Sequence, residues 1–210
     1  GRPGTYGQRG ANFAVQNSDL YLAIGTRLAL AQTGYASHDY ARNARKVIVD
    51  IDQTELDKKT LSADIKIQSD AKIFITELKN QLSGMSLNTL PWIKKGQDWK
   101  KRNPVVLSEY QKQKCPINSY YFIDVLSSIL NAADVIVTDM GISFQGTHQA
   151  FQIKKGQKLF TNSGFAAMGW GLPAAVGACV ANQCNRTVCI SGDGGFQMTM
   201  NELGTAIQHG

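Results

Sequence analysis

The sequence predicts an α/β chain of two parallel-sheet, Rossmann-like units, the second incomplete at its C-terminus. Three observations carry that reading. Short β-branched runs alternate with amphipathic helical stretches, the pattern of parallel strands with helices packed across them. Prolines at Pro91, Pro104 and Pro116 punctuate the middle of the chain. Two strand-length runs, Val135-Ile136-Val137-Thr138 and Thr187-Val188-Cys189-Ile190-Ser191, lead into acid-bearing turns at Asp139 and Asp193. In open parallel sheets ligands gather beyond the carboxyl ends of strands, where both turns fall.

The first unit, residues 1–84, takes strands at 20–24 and 46–51 around a loop that holds residues 33–39, and Ile65-Lys66-Ile67 reads as a further strand. An amphipathic helix is expected over 71–82, with Ile73, Ile75, Leu78 and Leu82 as its apolar set. Residues 85–116 read as a linker in which Trp92 and Trp99, one heptad apart, anchor a helix or strap to a domain surface. The second unit, residues 117–210, opens with a helix over 119–130 that turns Ile123, Leu126 and Leu130 inward. A strand at 135–138, a loop over 139–151, a small-residue segment with its helix, a strand at 187–191 and a final helix complete it. Thr199-Met200-Asn201-Glu202 fits the capping box for that last helix, with Met200, Leu203 and Ile207 on one face.

Composition narrows the function classes. With 210 residues and 43% hydrophobic content the chain buries a sizeable core, which excludes a disordered segment. The net charge of +6 invites a nucleic-acid reading around Trp92-Ile93-Lys94-Lys95, but no recognition fold surrounds these residues, and solvated lysines on an anchored helix explain them better. No apolar run approaches the ~20 residues that span a bilayer and no secretory leader opens the chain, so a cytoplasmic protein is expected, with no membrane partner. Cys115, Cys179, Cys184 and Cys189 lack zinc-site spacing and read as buried free thiols. A chain that opens on Gly1 is expected to be a piece of a longer one.

Gly192-Asp193-Gly194 is the most informative feature. Two glycines around one acid permit an abrupt turn and close backbone approach, the helix start after it offers free amides to an anion, and Asp193 supplies a hard oxygen for Mg²⁺ or Ca²⁺. Upstream lies Gly164-Phe165-Ala166-Ala167-Met168-Gly169-Trp170-Gly171-Leu172-Pro173-Ala174-Ala175, where small residues dominate and one Met is isolated. Together these two segments resemble the thiamine-diphosphate enzymes of the acetolactate synthase type. Gly4-Thr5-Tyr6-Gly7, the run from Ser18 to Arg27, and Val47-Ile48-Val49-Asp50-Ile51-Asp52 are similar to the middle domain of the same enzymes.

The resemblance implies thiamine diphosphate and Mg²⁺ as cofactors, with Asp193 as the metal ligand and Gly192, Gly194 and Gly195 around the diphosphate. It places Met168 beneath the bent cofactor, Gly164 and Gly169 where rings and backbone lie close, and Gly141, Ser143 and His148 at a second phosphate contact. Thr147-His148-Gln149 there stands for the Gln-His-Gln element, with Thr147 in place of the first Gln, and related 2-oxo acid decarboxylases stay open. The implied reaction decarboxylates a small-molecule 2-oxo acid and passes the acyl carbanion to a second carbonyl or a proton, in a homo-oligomer, dimer or tetramer. No catalytic residue is assigned here, because the activating Glu and the Asn that completes the metal site are expected outside these residues, and the piece alone is expected to be inactive. The middle domain holds FAD or an adenine nucleotide in some relatives and nothing in others. Outside the resemblance, a non-catalytic nucleotide- or cofactor-binding module fits the same residues, and a nicotinamide oxidoreductase lacks its glycine fingerprint.

Overall fold

The structure, a computed structural model, describes residues 1–183 and 185–209, in two compact units, Gly1–Pro104 and Val105–Gly210. In the first unit α1 (Arg9–Gln16), β1 (Leu20–Ile24), α2 (Leu30–Thr33), β2 (Arg45–Asp50), α3 (Gln53–Asp57), β3 (Ile65–Gln68), α4 (Ala71–Gln81) and α5 (Leu90–Arg102) follow in order. The three strands are parallel in the order β1-β2-β3, with Ala23 opposite Ile48 and Ile48 opposite Lys66. Because the chain crosses this sheet in one direction, right-handed connections fall on one face. The core sits there: Ala23 and Ile48 from the sheet, Leu28, Tyr40, Ala41 and Ala44 from the first connection, Leu56 and Leu61 from the second.

Local chemistry sets the helix starts. The Asp52 carboxylate accepts from the Thr54 amide at 2.9 Å, and that of Asp70 from the Lys72 and Ile73 amides at 2.8 and 3.1 Å, so both acids cap helices. The α4 helix forms where expected, but of its anticipated apolar set only Leu78 is half-buried, with Phe74 beside it, while Ile73 is 67% exposed, Ile75 43% and Leu82 38%. A helix resting on the central strand of so narrow a sheet buries only a thin stripe.

The expected linker is helical. Pro91 lies in the first turn of α5, where a missing N–H costs nothing, so it starts a helix instead of breaking one. The α5 helix packs on α1, close enough that a Cβ on Gly10 would lie 3.2 Å from the Lys100 backbone. Trp99 is the anchor, buried beside Phe13 with ring centroids 6.3 Å apart, and the Lys95 ammonium stands 5.9 and 5.0 Å from the Trp92 and Trp99 rings.

The second unit runs α6 (Ser108–Lys112), α7 (Ser119–Ile129), β4 (Val135–Thr138), α8 (Ile142–Ala150), β5 (Lys158–Phe160), α9 (Gly171–Ala181), β6 (Thr187–Ile190), α10 (Asp193–Met198) and α11 (Glu202–His209). Its parallel sheet has the order β5-β4-β6, so the chain moves one way from β4 to β5 and back past β4 to reach β6. Right-handed connections then fall on opposite faces. Ile136 packs with Ile123, Leu130, Ala150 and Phe151 on the α7 and α8 face, while Val135 and Val137 meet Ala175 of α9 on the other. Covered on both sides, β4 reads as an unbroken apolar run.

Polar contacts tie off the ends of these elements. Asn118 accepts from the Tyr120 amide at 3.0 Å to cap α7, and the Lys154 ammonium donates to the Ser128 and Leu130 carbonyls at its other end. Arg186 forks onto the buried Asp134 carboxylate and holds it well below the usual carboxylate range, tying the entry of β6 to that of β4.

Several expectations are corrected. Residues 142–150, expected as loop, form α8; Gly141 adopts φ +76° as its N-cap, and the helix follows from burial of Phe144, Thr147 and Ala150 along one face. The strand β5 was not anticipated, since Lys-Leu-Phe is too short for a period to show. The final helix is two, and the capping box is absent: the Glu202 amide donates to the Thr199 carbonyl, while the Thr199 hydroxyl donates to Gly169 O. Met200, Leu203 and Ile207 are exposed. Cys115, Cys179 and Cys189 are free, but Cys115 is exposed and the other two half-buried; Cys184 lies outside the described residues. Among the described residues no helix is long and apolar enough to cross a membrane.

Ile136 is wholly buried, so Ile136→Ala should lower unfolding free energy by about 2–5 kcal/mol in a denaturant titration. Ile73→Ala on exposed α4 should stay within about 0.5 kcal/mol. Burial, and then the Asp139 carboxylate, push the Cys189 thiol from 9.0 up to about 11. The folded thiol keeps its proton where the unfolded one has lost it, so this group makes stability fall as pH rises between those two values. At pH 8, peptide mass spectrometry should find Cys189 alkylated roughly 100-fold more slowly than an unburied thiol.

Candidate functional site

The site is assembled at the carboxyl ends of β4 and β6. Asp139 follows β4 and is 1% exposed. Its own amide donates to Ile190 O at 2.9 Å, extending the ladder to β6 by one bond. Its carboxylate is enclosed by donors: Oδ1 accepts from the Met140 amide at 2.8 Å, both oxygens accept from the Gly169 amide at 3.1 Å, and Oδ2 accepts from the Ser191 hydroxyl at 2.9 Å. Three chain segments are therefore joined at one buried acid.

Glycine is required where these segments meet. A Cβ on Gly195 would stand 2.0 Å from Asp139 Oδ2, and one on Gly171 2.8 Å from Asp139 Cβ, so backbone passes where no side chain fits. Gly169 has φ +83°, and its peptide is held on both sides, the N–H by Asp139 and the carbonyl by the Thr199 hydroxyl at 2.9 Å.

The glycine-rich turn after β6 becomes the first turn of α10, with Gly192 as N-cap and Asp193 as its first residue. Asp193 is exposed, and one of its oxygens accepts from the Gly194 amide at 2.9 Å. Nothing lies within 4 Å of a Cβ placed on Gly192. Beside the turn is a cleft of about 270 Å³ lined by Leu172, Cys189, Ser191, Gly192, Asp193 and Phe196.

Met168 is 53% exposed and stands outside the core; its Cε lies 3.2 Å from the position a Cβ would take on Gly194. The sulfur-bearing side chain thus rests over the turn that presents Asp193. Met168, Gly169 and the residues from Gly192 to Gly195 come together, although more than twenty residues separate the two motifs in sequence.

The other residues singled out from sequence have different surroundings. Gly164 is exposed with nothing within 4 Å of a Cβ. Ser143 is buried, its hydroxyl donating to Met140 O at 2.9 Å, so local backbone already uses it. His148 is half-buried on α8, its ring 4.2 Å from that of Phe144 and Nδ1 3.2 Å from Phe144 O. Gly141 caps the start of that helix.

A thiamine diphosphate with its divalent cation fits this donor set. Asp193 is an accessible hard oxygen, the open space at Gly192 admits an anionic group against backbone, and the exposed Met168 thioether offers an apolar support. Among the described residues no three His, Cys, Asp or Glu side chains cluster as a metal site. Sequence reasoning did not find Ser191 and Thr199, and saw Asp139 only as a strand-end acid. The available signal was an acid directly after a four-residue apolar strand, a place where burial demands partners.

In the first unit, Asp50 and Asp52 are engaged locally: Asp50 Oδ1 accepts from the Asp52 amide at 3.0 Å and Asp52 caps α3. A separate cleft of about 220 Å³ is lined by residues that include Gly4, Thr5, Asn12, Val15, Gln32 and Tyr40. Among the described residues, Gln16 Oε1 is buried without a hydrogen-bond partner.

The chain matches known proteins in both of its units. A family model described as thiamine pyrophosphate enzyme, central domain, matches residues 1–78, and one described as thiamine pyrophosphate enzyme, C-terminal TPP binding domain, matches residues 139–210. The acetolactate synthase large subunit of Cyanidium caldarium is 36% identical, aligned over 100% of this chain and 35% of its own length. The probable acetolactate synthase large subunit of Methanocaldococcus jannaschii is 32% identical over 100% of this chain and 36% of its length. Acetolactate synthase isozyme 1 large subunit of Escherichia coli is 29% identical with the same coverage. The chain spans little more than a third of the length of these curated relatives. It belongs to the thiamine pyrophosphate enzymes, as an acetolactate-synthase-like stretch that runs from their central domain into their C-terminal TPP-binding domain.

Proposed function

We propose that the parent protein decarboxylates a 2-oxo acid and transfers the acyl unit to a second carbonyl, using thiamine diphosphate and Mg²⁺ held in part by this chain. The observation that carries this reading is the seating of Met168 against Gly194, beside an accessible Asp193. When bound, the cofactor supplies the carbanion chemistry that removes CO₂ and passes the acyl unit on. The chain's own share is binding and orientation. Asp193 would coordinate the cation and so compensate the diphosphate charge, which is costly to bring against protein unpaired. Gly192, Gly194 and Gly195 would let backbone approach that group, Met168 would hold the rings from one side, and Gly164 and Gly169 would leave room for them. Gly141, Ser143 and His148 form the second proposed contact, which would require α8 to present its N-terminal turn, since Ser143 is otherwise engaged with Met140.

In this reading residues 1–84 are the larger part of the middle domain and residues 117–210 the first half of the diphosphate domain, in a cytoplasmic homo-oligomer, dimer or tetramer. FAD or an adenine nucleotide is the ligand proposed for the middle domain on the strength of the resemblance, with the cleft at Gly4, Thr5 and Asn12 as the place to look for it.

Calorimetric titration of the full-length protein with thiamine diphosphate and Mg²⁺ tests the assignment. Asp193→Ala should weaken magnesium-dependent binding by more than the roughly 10–100-fold that follows loss of an outer-shell partner; unchanged binding would remove Asp193 from the site. Met168→Ala should leave thermal stability nearly unaltered, because the side chain is largely exposed, yet lower kcat by up to about 100-fold, the order attached to misplacing reacting groups by 1 Å. A stability loss without a change in kcat would mean Met168 is ordinary packing.

A further inference from the structure

We propose that Asp139 is a positioning residue and not a second metal carboxylate: it locks the Met168-Gly169 turn to the turn that bears Asp193. This rests on the functional reading above. The two acids follow neighbouring strands of the same sheet, so either could be taken for a cation ligand. Their surroundings differ. Asp193 is exposed and, among the described residues, accepts from the adjacent Gly194 amide, whereas Asp139 is 1% exposed and receives contacts from Met140 N, Gly169 N on both oxygens, and Ser191 Oγ.

A carboxylate has about four lone-pair sites. At Asp139 three hydrogens serve them, from Met140 N, from Gly169 N shared between both oxygens, and from Ser191 Oγ, and the Gly195 backbone closes over Oδ2. At 1% exposure the carboxylate presents no open side to a cation, and turning toward one would break bonds that order two turns. The same donors define what Asp139 does. The Gly169 amide follows the residue whose side chain touches Gly194, and Ser191 precedes the Gly192-Asp193 pair. Rotation of one turn relative to the other would carry Met168 away from the position it holds over Gly194. Thr199 reinforces the lock through the Gly169 carbonyl.

The isosteric variant separates the two roles. In Asp139→Asn, Oδ1 can still accept from the Met140 and Gly169 amides, and the new amide group can donate to Ser191 Oγ, whose hydroxyl is free to turn round. A metal ligand would not survive that exchange; a positioning residue largely would. The full-length enzyme is measured as wild type, Asp139→Asn, Asp139→Ala, Ser191→Ala and Asp193→Asn, by Mg²⁺ half-saturation at saturating thiamine diphosphate, by kcat and KM for the 2-oxo acid, and by exchange of the Gly169 amide in the cofactor-free protein.

Asp139→Asn should keep Mg²⁺ half-saturation within about 3-fold, while Asp193→Asn shifts it by far more than the roughly 10–100-fold of an outer-shell loss. Asp139→Ala should speed exchange at Gly169 at least about 10-fold, as expected for losing a hydrogen bond to a charged group. It should also lower kcat by about 100-fold with KM nearly unchanged. If that variant does not fold, Ser191→Ala keeps three of the four contacts and should lower kcat several-fold with Mg²⁺ half-saturation unmoved. An Asp139→Asn shift in Mg²⁺ half-saturation equal to that of Asp193→Asn would overturn the proposal, as would full kcat in folded Asp139→Ala or Ser191→Ala. A wild-type protein that binds no thiamine diphosphate would instead defeat the functional reading, and the Gly169 exchange result would then stand by itself.

Discussion

The buried carboxylate of Asp139 is the constraint on which the second unit's site depends. A charged group at 1% exposure is tolerated only when its lone pairs are occupied, and here the occupants come from three separate stretches of chain. That requirement reaches outward into the sequence. Gly195 and Gly171 must lack side chains because the acid fills the space beside them, and Gly169 must take a left-handed backbone to aim its amide. The small-residue segment is thus partly explained by an acid some thirty positions upstream. The same acid raises the Cys189 thiol, after burial itself, which keeps a potential nucleophile neutral beside the cleft.

Much of the fold was legible because its signals are local. Strands at residues 20–24 and 135–138 carry apolar, β-branched runs between turns, and the structure places them at those residues. The helix over 71–81 starts at an Asp cap that any reader can see, although which of its sides is buried is a tertiary matter, and Ile73 and Ile75 were assigned to the wrong one. Pro91 misled in the opposite sense: the same residue breaks a helix interior and begins a helix, and only the packing of Trp99 on α1 decides between the two.

At the site, motif and geometry were legible to different depths. Gly192-Asp193-Gly194 and Met168 could be linked through resemblance alone, and their proximity in space is a property of the folded chain. The Thr199 hydroxyl shows why capping signatures are ambiguous. Its oxygen was expected to accept from its own helix, yet the hydroxyl turns to donate to the Gly169 carbonyl thirty residues away, and the Glu202 amide goes to the Thr199 backbone carbonyl instead. The residues from 139 to 151 contain glycines and polar side chains in a loop-like mixture, and helix α8 forms there because Phe144, Thr147 and Ala150 find a buried face, which no local propensity encodes.

The alternation of connections across the two faces of the β5-β4-β6 sheet has a consequence for access. From β4 the chain leaves through α8 toward one edge, while β6 on its other side is reached from α9 on the opposite face and departs into α10. Neighbouring strands whose outgoing loops part in this way leave a gap between their carboxyl ends that no connection bridges, the topological switch point of open α/β sheets. Asp139 lies at the floor of that gap and Asp193 on its rim, one acid turned inward to fasten its walls and the other outward to meet what enters.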